Sequence, residues 1–111
     1  MAEVTIDPST FAELQATTGP DFVVELVDTF AEEAPQMLAE IRAAHRAGAA
    51  EQFRRAAHSL KSNSNTFGAV RLAEMARTLE LGGLPDNAAP LDVLAAELDD
   101  TLAALKALAR G

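Results

Sequence analysis

Apolar residues recur three and four apart along nearly the whole chain, and no stretch alternates apolar and polar with a period of two, so the pattern predicts helices throughout. The fold class is all-α. Asp7-Pro8 marks the first start, a short acceptor side chain at the cap followed by proline at the first helical position, where its missing N–H costs nothing. Ile6 and Phe11 stand where a hydrophobic staple would bridge that cap, Phe11 and Leu14 point inward, and Gly19 closes this short helix. From Pro20, the series Phe22, Val23, Leu26, Val27, Phe30, Ala34, Met37, Leu38 and Ile41 continues one apolar face until Gly48. Pro35 interrupts this run but not its phase, which predicts one bent helix instead of two.

A third helix carries Phe53, Ala57, Leu60, Ser64 and Phe67 on its inner face and stops at Gly68. The fourth buries Leu72, Met75, Ala76 and Leu79 and ends at Gly82-Gly83. Residues 84–90, with two prolines, Asp and Asn, read as a loop. Leu91, Leu94, Leu98, Leu102, Leu105 and Leu108 form a near-heptad stripe on the last helix. It is too short for a sustained coiled coil, and the other helices need a partner for their own faces. The connections are short enough to force successive helices antiparallel, so we expect an up-down-up-down four-helix bundle with a short N-terminal cap helix. Residues 1–111 are read as one domain.

The third helix has a second face. Arg54, Arg55, His58, Lys61, Ser62 and Asn65 fall together beside the apolar stripe, so His58 faces water with cations a turn before and after it. Spacing leaves two readings open: a solvated face that happens to carry a histidine, or an imidazole that handles phosphate, its cations waiting for an anion. His45, near the end of the second helix, is read as meeting the helix dipole or as simply solvated.

Charge sharpens the contrast between the third helix and its surroundings. The net formal charge is −8, from 17 acids and 9 bases, which argues against a nucleic-acid partner. Taken in three blocks, residues 1–50 (−7) and 62–111 (−3) are net negative, whereas residues 51–61 between them are net positive, with Arg54, Arg55 and Lys61 against Glu51. A local positive patch on an acidic chain suits transient contact with an acidic or phosphorylated pocket, although chance can also produce one over so short a stretch. There is no cysteine, hence no disulfide framework or thiolate metal site. No stretch approaches the ~18 apolar residues of a membrane span, and the N-terminus lacks the basic and apolar regions of a signal peptide. The expected location is the cytoplasm.

His58-Ser59-Leu60-Lys61, a small and polar stretch, Gly68-Ala69, Leu72 and then Leu79-Glu80 together resemble the signature of histidine-containing phosphotransfer (HPt) domains of bacterial phosphorelays. The family pattern reads approximately His-x-Leu-Lys-Gly, a polar stretch, Gly-Ala, and an apolar helix ending in Leu-Glu. Ser62 stands where the family most often has glycine, one turn from His58. Serine is small and can donate a hydrogen bond to a phosphoryl oxygen, so the departure bears on partner range and transfer rate.

The resemblance implies a phosphorelay intermediate. His58 would accept a phosphoryl group on its distal ring nitrogen from a receiver-domain aspartate and pass it to another. Lys61 is the candidate for stabilising the phosphoryl oxygens, and Glu80 for accepting from the other ring nitrogen and fixing the tautomer. Arg54, Arg55, Ser62 and Asn65 are docking candidates, the two arginines also candidates for phosphoryl contact. Gly68 and Ala69 would allow a tight turn and close helix approach. Partners would be response-regulator receiver domains and a hybrid sensor kinase. No cofactor is expected on this chain; Mg²⁺ belongs to the receiver's acidic pocket. A monomer is expected.

The sequence has no phosphate-binding glycine loop, no kinase signature and no zinc-protease motif, so independent ATP-dependent kinase activity is not expected. Two alternatives remain at this stage. One is a helical docking module that binds a receiver or kinase without carrying phosphate. The other is a small helical enzyme or cofactor bundle using His58, disfavoured by the lack of a second ligand or base.

Overall fold

A computed structural model describes residues 6–110, and within them the chain forms five α-helices and no strand. These are α1 (Pro8–Thr18), α2 (Pro20–Ala47), α3 (Ala50–Thr66), α4 (Val70–Gly82) and α5 (Ala89–Arg110). Helix α2 packs against α3 and α5, α4 packs against the same two, and α1 lies on α2. Four long helices thus close a ring around one core.

The core follows the apolar period. Val23, Val27, Phe30, Ala34, Ile41 and Ala44 form the buried stripe of α2, facing Phe53, Ala57 and Leu60 of α3, Leu72 and Ala76 of α4, and Leu91, Leu94, Leu98 and Leu105 of α5. Phe30 stacks on Phe67 at a centroid distance of 4.9 Å, which ties α2 to the end of α3. Helix α2 is continuous through Pro35, whose ring leaves the carbonyl of Ala31 without its backbone donor.

Several details differ from the expected pattern. Phe22 is 50 % exposed, because it stands about 100° round the helix from the Val23–Val27 stripe. Leu108 is 43 % exposed in the last turn of α5, past the last buried layer at Leu105. Helix α5 begins at Ala89 inside the expected loop, with the Ala89 N–H donating to Asn87 Oδ1 (2.9 Å) and Pro90 in the first turn. Thr101, not Leu102, occupies the buried stripe there, and its hydroxyl has no hydrogen-bond partner.

The start of α1 is anchored from outside. Asp7 sits at the N-cap, but its carboxylate accepts from the Thr10 hydroxyl (2.6 Å) and not from a backbone N–H. Its own N–H donates to the carbonyl of Gly68 (2.7 Å), fastening α1 to the α3–α4 turn. Ile6 and Phe11 are both buried in the core, as a staple requires. His45 Nε2 donates to the carbonyl of Pro85 (2.8 Å), so the end of α2 clips the α4–α5 loop.

Candidate functional site

Helix α3 leaves its polar face uncovered because its buried stripe, Phe53, Ala57, Leu60 and Ser64, already satisfies the core. Ser64 is fully buried and donates back to the Leu60 carbonyl (2.7 Å), so its hydroxyl costs little there. The opposite consequence falls on His58. Its side chain is 54 % exposed, anchored on a helix whose inner half is rigidly packed.

Helix α4 then returns alongside α3 and brings Glu80 beside the imidazole, 22 positions away in sequence. His58 Nδ1 donates to Glu80 Oε2 at 2.8 Å. A carboxylate only accepts, so the proton of the neutral ring must lie on Nδ1 and the lone pair on Nε2. Lys61, one turn further along α3, places its Nζ 2.8 Å from Glu80 Oε1. One carboxylate, 10 % exposed, therefore serves the histidine and the lysine together. The Lys61 ammonium first, and the His58 ring after it, hold the Glu80 carboxyl below the usual carboxylate range.

The other polar residues of this face lie around that trio. Arg54 forms a two-pronged pair with Glu51 (3.2 and 2.6 Å), and Arg55 reaches the same carboxylate at 3.4 Å, so both guanidinium groups are directed back to Glu51, about two turns before His58. This i to i+3 and i+4 pairing was readable from the sequence by ordinary helix geometry. Ser62 and Asn65 are exposed on the far side of Lys61. Asn65 and Lys61 line an open hollow of about 260 Å³ between α3 and α4, completed by Val70, Ala73, Glu74 and Arg77. Arg77 was not singled out by the sequence reading, since nothing in the spacing on α4 reveals that it faces α3. Between α2 and α3 lies a larger hollow of about 470 Å³, with Ala43, Ala47 and Ala56 along it and Arg55 and Ser59 at its edge.

Gly68 and Ala69 hold the two helices at this separation. Gly68 turns the chain with φ +75°, and Ala69 is fully buried. Among the described residues no helix is long and apolar enough to cross a membrane.

The chemistry of the trio is that of a nucleophilic imidazole with a fixed tautomer and an adjacent cation. It is suited to accepting a group at Nε2, with the charge of an incoming anion met by Lys61.

Comparison with known proteins bears on the family and the fold. The crystal structure of histidine-containing phosphotransfer protein B (HptB) from Pseudomonas aeruginosa PAO1 superposes with a TM-score of 0.76 and 28 % sequence identity, covering 98 % of this chain and 94 % of that one. No curated protein sequence gives a significant match. The sequence profile of the Hpt domain matches residues 25–108, which include His58, Lys61 and Glu80. The chain belongs to the Hpt domain family, the histidine phosphotransfer domains of phosphorelays.

Proposed function

We propose that the chain is a phosphorelay intermediate: Nε2 of His58 attacks the phosphoaspartate of one receiver domain and later yields the phosphoryl group to the aspartate of a second. The observation that carries this reading is the 2.8 Å hydrogen bond from His58 Nδ1 to Glu80, on a ring that is otherwise open to solvent. It leaves Nε2 as the free nucleophilic atom, facing the space a partner would occupy. Phosphoryl transfer asks little of a protein beyond positioning and charge stabilisation. Lys61 supplies the nearby cation, and Ser62, small and exposed, lets a partner approach and can donate a hydrogen bond to a phosphoryl oxygen.

Arg54, Arg55, Ser62 and Asn65 are assigned to docking, the arginines through charge complementarity with an acidic partner surface. The receiver, with its own acidic pocket and Mg²⁺, contributes the remaining charge neutralisation. A hybrid sensor kinase fits as the upstream source, and no ATP chemistry is assigned to this chain. The short connections and the closed ring of packing support an up-down-up-down bundle over a single domain, residues 1–111, with α1 as its cap. We assign it to the cytoplasm as a monomer.

The test is a two-receiver relay. A receiver domain carrying labelled phosphoaspartate is mixed with the chain and then with a second, unlabelled receiver. Label should pass through wild type and stop at the first receiver with His58→Gln. If His58→Gln still binds receivers and signals as wild type does, the chain is a docking module and the reading fails.

A further inference from the structure

The two arginines before His58 are already engaged. Arg54 Nε and Nη2 lie 3.2 and 2.6 Å from the two carboxylate oxygens of Glu51, and Arg55 Nε lies 3.4 Å from Oε2 of the same group. We propose that Glu51 is a built-in competitor for the receiver: its carboxylate occupies, on Arg54 and Arg55, the place that an acidic side chain of a docking receiver takes. Docking is then an exchange of one carboxylate for another. The inference deepens the docking role assigned above to the two arginines and rests on that reading.

Helix geometry sets up the competition. Seven residues separate Glu51 from His58, which puts the carboxylate on the same line of α3, within about 20° round the axis and about 10 Å along it. Arg54 and Arg55 stand on opposite sides of that line. Arg54 lies on the α4 side, where the charge of Glu80 also acts on it, and Arg55 lies on the α2 side, lining the α2–α3 hollow with Ser59. One carboxylate thus gathers the cations from both flanks of the face that a partner meets. The Glu51 side chain is 58 % exposed, within reach of that partner. Arg54 first, and Arg55 after it, hold its carboxyl below the usual carboxylate range, so Glu51 is an anion whenever docking occurs near neutral pH.

Such an exchange is easy, and it is selective. A pair between exposed side chains one turn apart contributes little to stability, so an acidic group held rigidly by a partner displaces it readily. The planar fork of arginine takes a carboxylate by two parallel bonds, and Glu51 shows that geometry on Arg54. A receiver with no acid at this place gains nothing from the arginines, which stay with Glu51. A receiver with one gains only the difference between its own carboxylate and Glu51, which keeps the contact weak enough to release. The other cations of the face offer no such exchange: Lys61 is bonded at 2.8 Å to Glu80, a side chain only 10 % exposed, and Arg77 has no ion-pair partner among the described residues.

The test is a mutant cycle. Glu51→Ala removes the competitor, the double variant Arg54→Ala/Arg55→Ala removes what is competed for, and the triple variant closes the cycle. Asp99→Ala, at an exposed acid on α5, controls for net charge. The initial rate of phosphoryl transfer from a labelled receiver domain is measured against receiver concentration. Glu51→Ala should lower the half-saturating concentration about two- to fivefold, the scale of one exposed ion pair, with the maximal rate unchanged. The arginine double variant should raise that concentration, and adding Glu51→Ala to it should change nothing further. Asp99→Ala should match wild type. An unchanged or raised half-saturating concentration in Glu51→Ala, a changed maximal rate, the same gain without the arginines, or an equal gain in Asp99→Ala overturns the proposal. A wild-type chain that takes no label from any receiver overturns the phosphorelay reading itself, and this inference with it.

Discussion

Gly68→Ala is expected to destabilise the fold well beyond the ordinary cost of filling a left-handed position. Gly68 has φ +75°, and a Cβ built there would stand 3.0 Å from the carbonyl oxygen of Asp7 and 3.0 Å from Cβ of Thr10. A left-handed backbone costs a side-chain-bearing residue roughly 1–2 kcal/mol. The two close neighbours cannot easily yield, since the Asp7 N–H is bonded to Gly68 O (2.7 Å) and Thr10 to the Asp7 carboxylate (2.6 Å). Moving α1 away would weaken the first of these bonds, worth about 1 kcal/mol, and loosen the contacts of Ile6 and Phe11 with the core. The stiffer unfolded chain offsets about 0.4–1 kcal/mol. The expected net loss is about 2–3 kcal/mol, read as a fall in the urea midpoint of roughly 1–2 M for a slope of about 1.5 kcal/mol per M. Gly48→Ala is the matched control: its φ is +66° and nothing lies within 4 Å of the added Cβ. It carries the backbone strain without the collision, so Gly68→Ala should cost at least about 1 kcal/mol more. Equal losses in the two variants, by far-UV circular dichroism in urea, would refute the close-approach argument.

Other consequences follow from the same structure. Lys61→Ala should slow phosphoryl transfer from a receiver while leaving helicity intact, and an unchanged single-turnover rate would remove its role. Glu80 has its ionisation lowered below the value of 4.5, by Lys61 first and then His58; its stabilising contribution is therefore present above about pH 4.5 and lost as pH falls through the lowered range. The stability gap between wild type and Glu80→Gln in urea should accordingly be larger at pH 7 than at pH 3. Thr101 is fully buried with an unpartnered hydroxyl, so Thr101→Val should raise stability by about 1 kcal/mol, seen as a higher urea midpoint at unchanged slope.

The helices were readable because their information is local. Period, prolines and glycines placed the five elements, and the unbroken phase through Pro35 correctly kept α2 as one helix. Helix α5 starts two residues before the expected position because Asn87 Oδ1 accepts the Ala89 N–H and Pro90 is tolerated in the first turn, where its missing N–H has no intrahelical partner to lose. Phe22 and Leu108 were misplaced because an apolar residue next to a stripe, or past its end, keeps the pattern without finding a neighbour.

The site divides along the same line. That His58 faces water with Lys61 nearby is a property of one helix and could be read from spacing. The contact with Glu80 joins two helices across 22 positions, and only the resemblance to a family pattern indicated it. That Glu80 also holds Lys61, and that Arg77 lies across the hollow from Asn65, depends on how α4 is rotated against α3. The sequence pattern does not fix that rotation to within one side chain.

The central claim is that Nε2 of His58 carries the phosphoryl group, and heteronuclear magnetic resonance on the ¹⁵N-histidine-labelled chain tests it most directly. The chain has only two histidines, His45 and His58, so assignment is unambiguous. After phosphorylation from a receiver domain, phosphorus should couple to Nε2 of His58, with a proton retained on Nδ1. Phosphorus on Nδ1, on His45 or on a residue other than histidine, or no coupling in a folded chain exposed to phosphorylated receivers, would contradict the account.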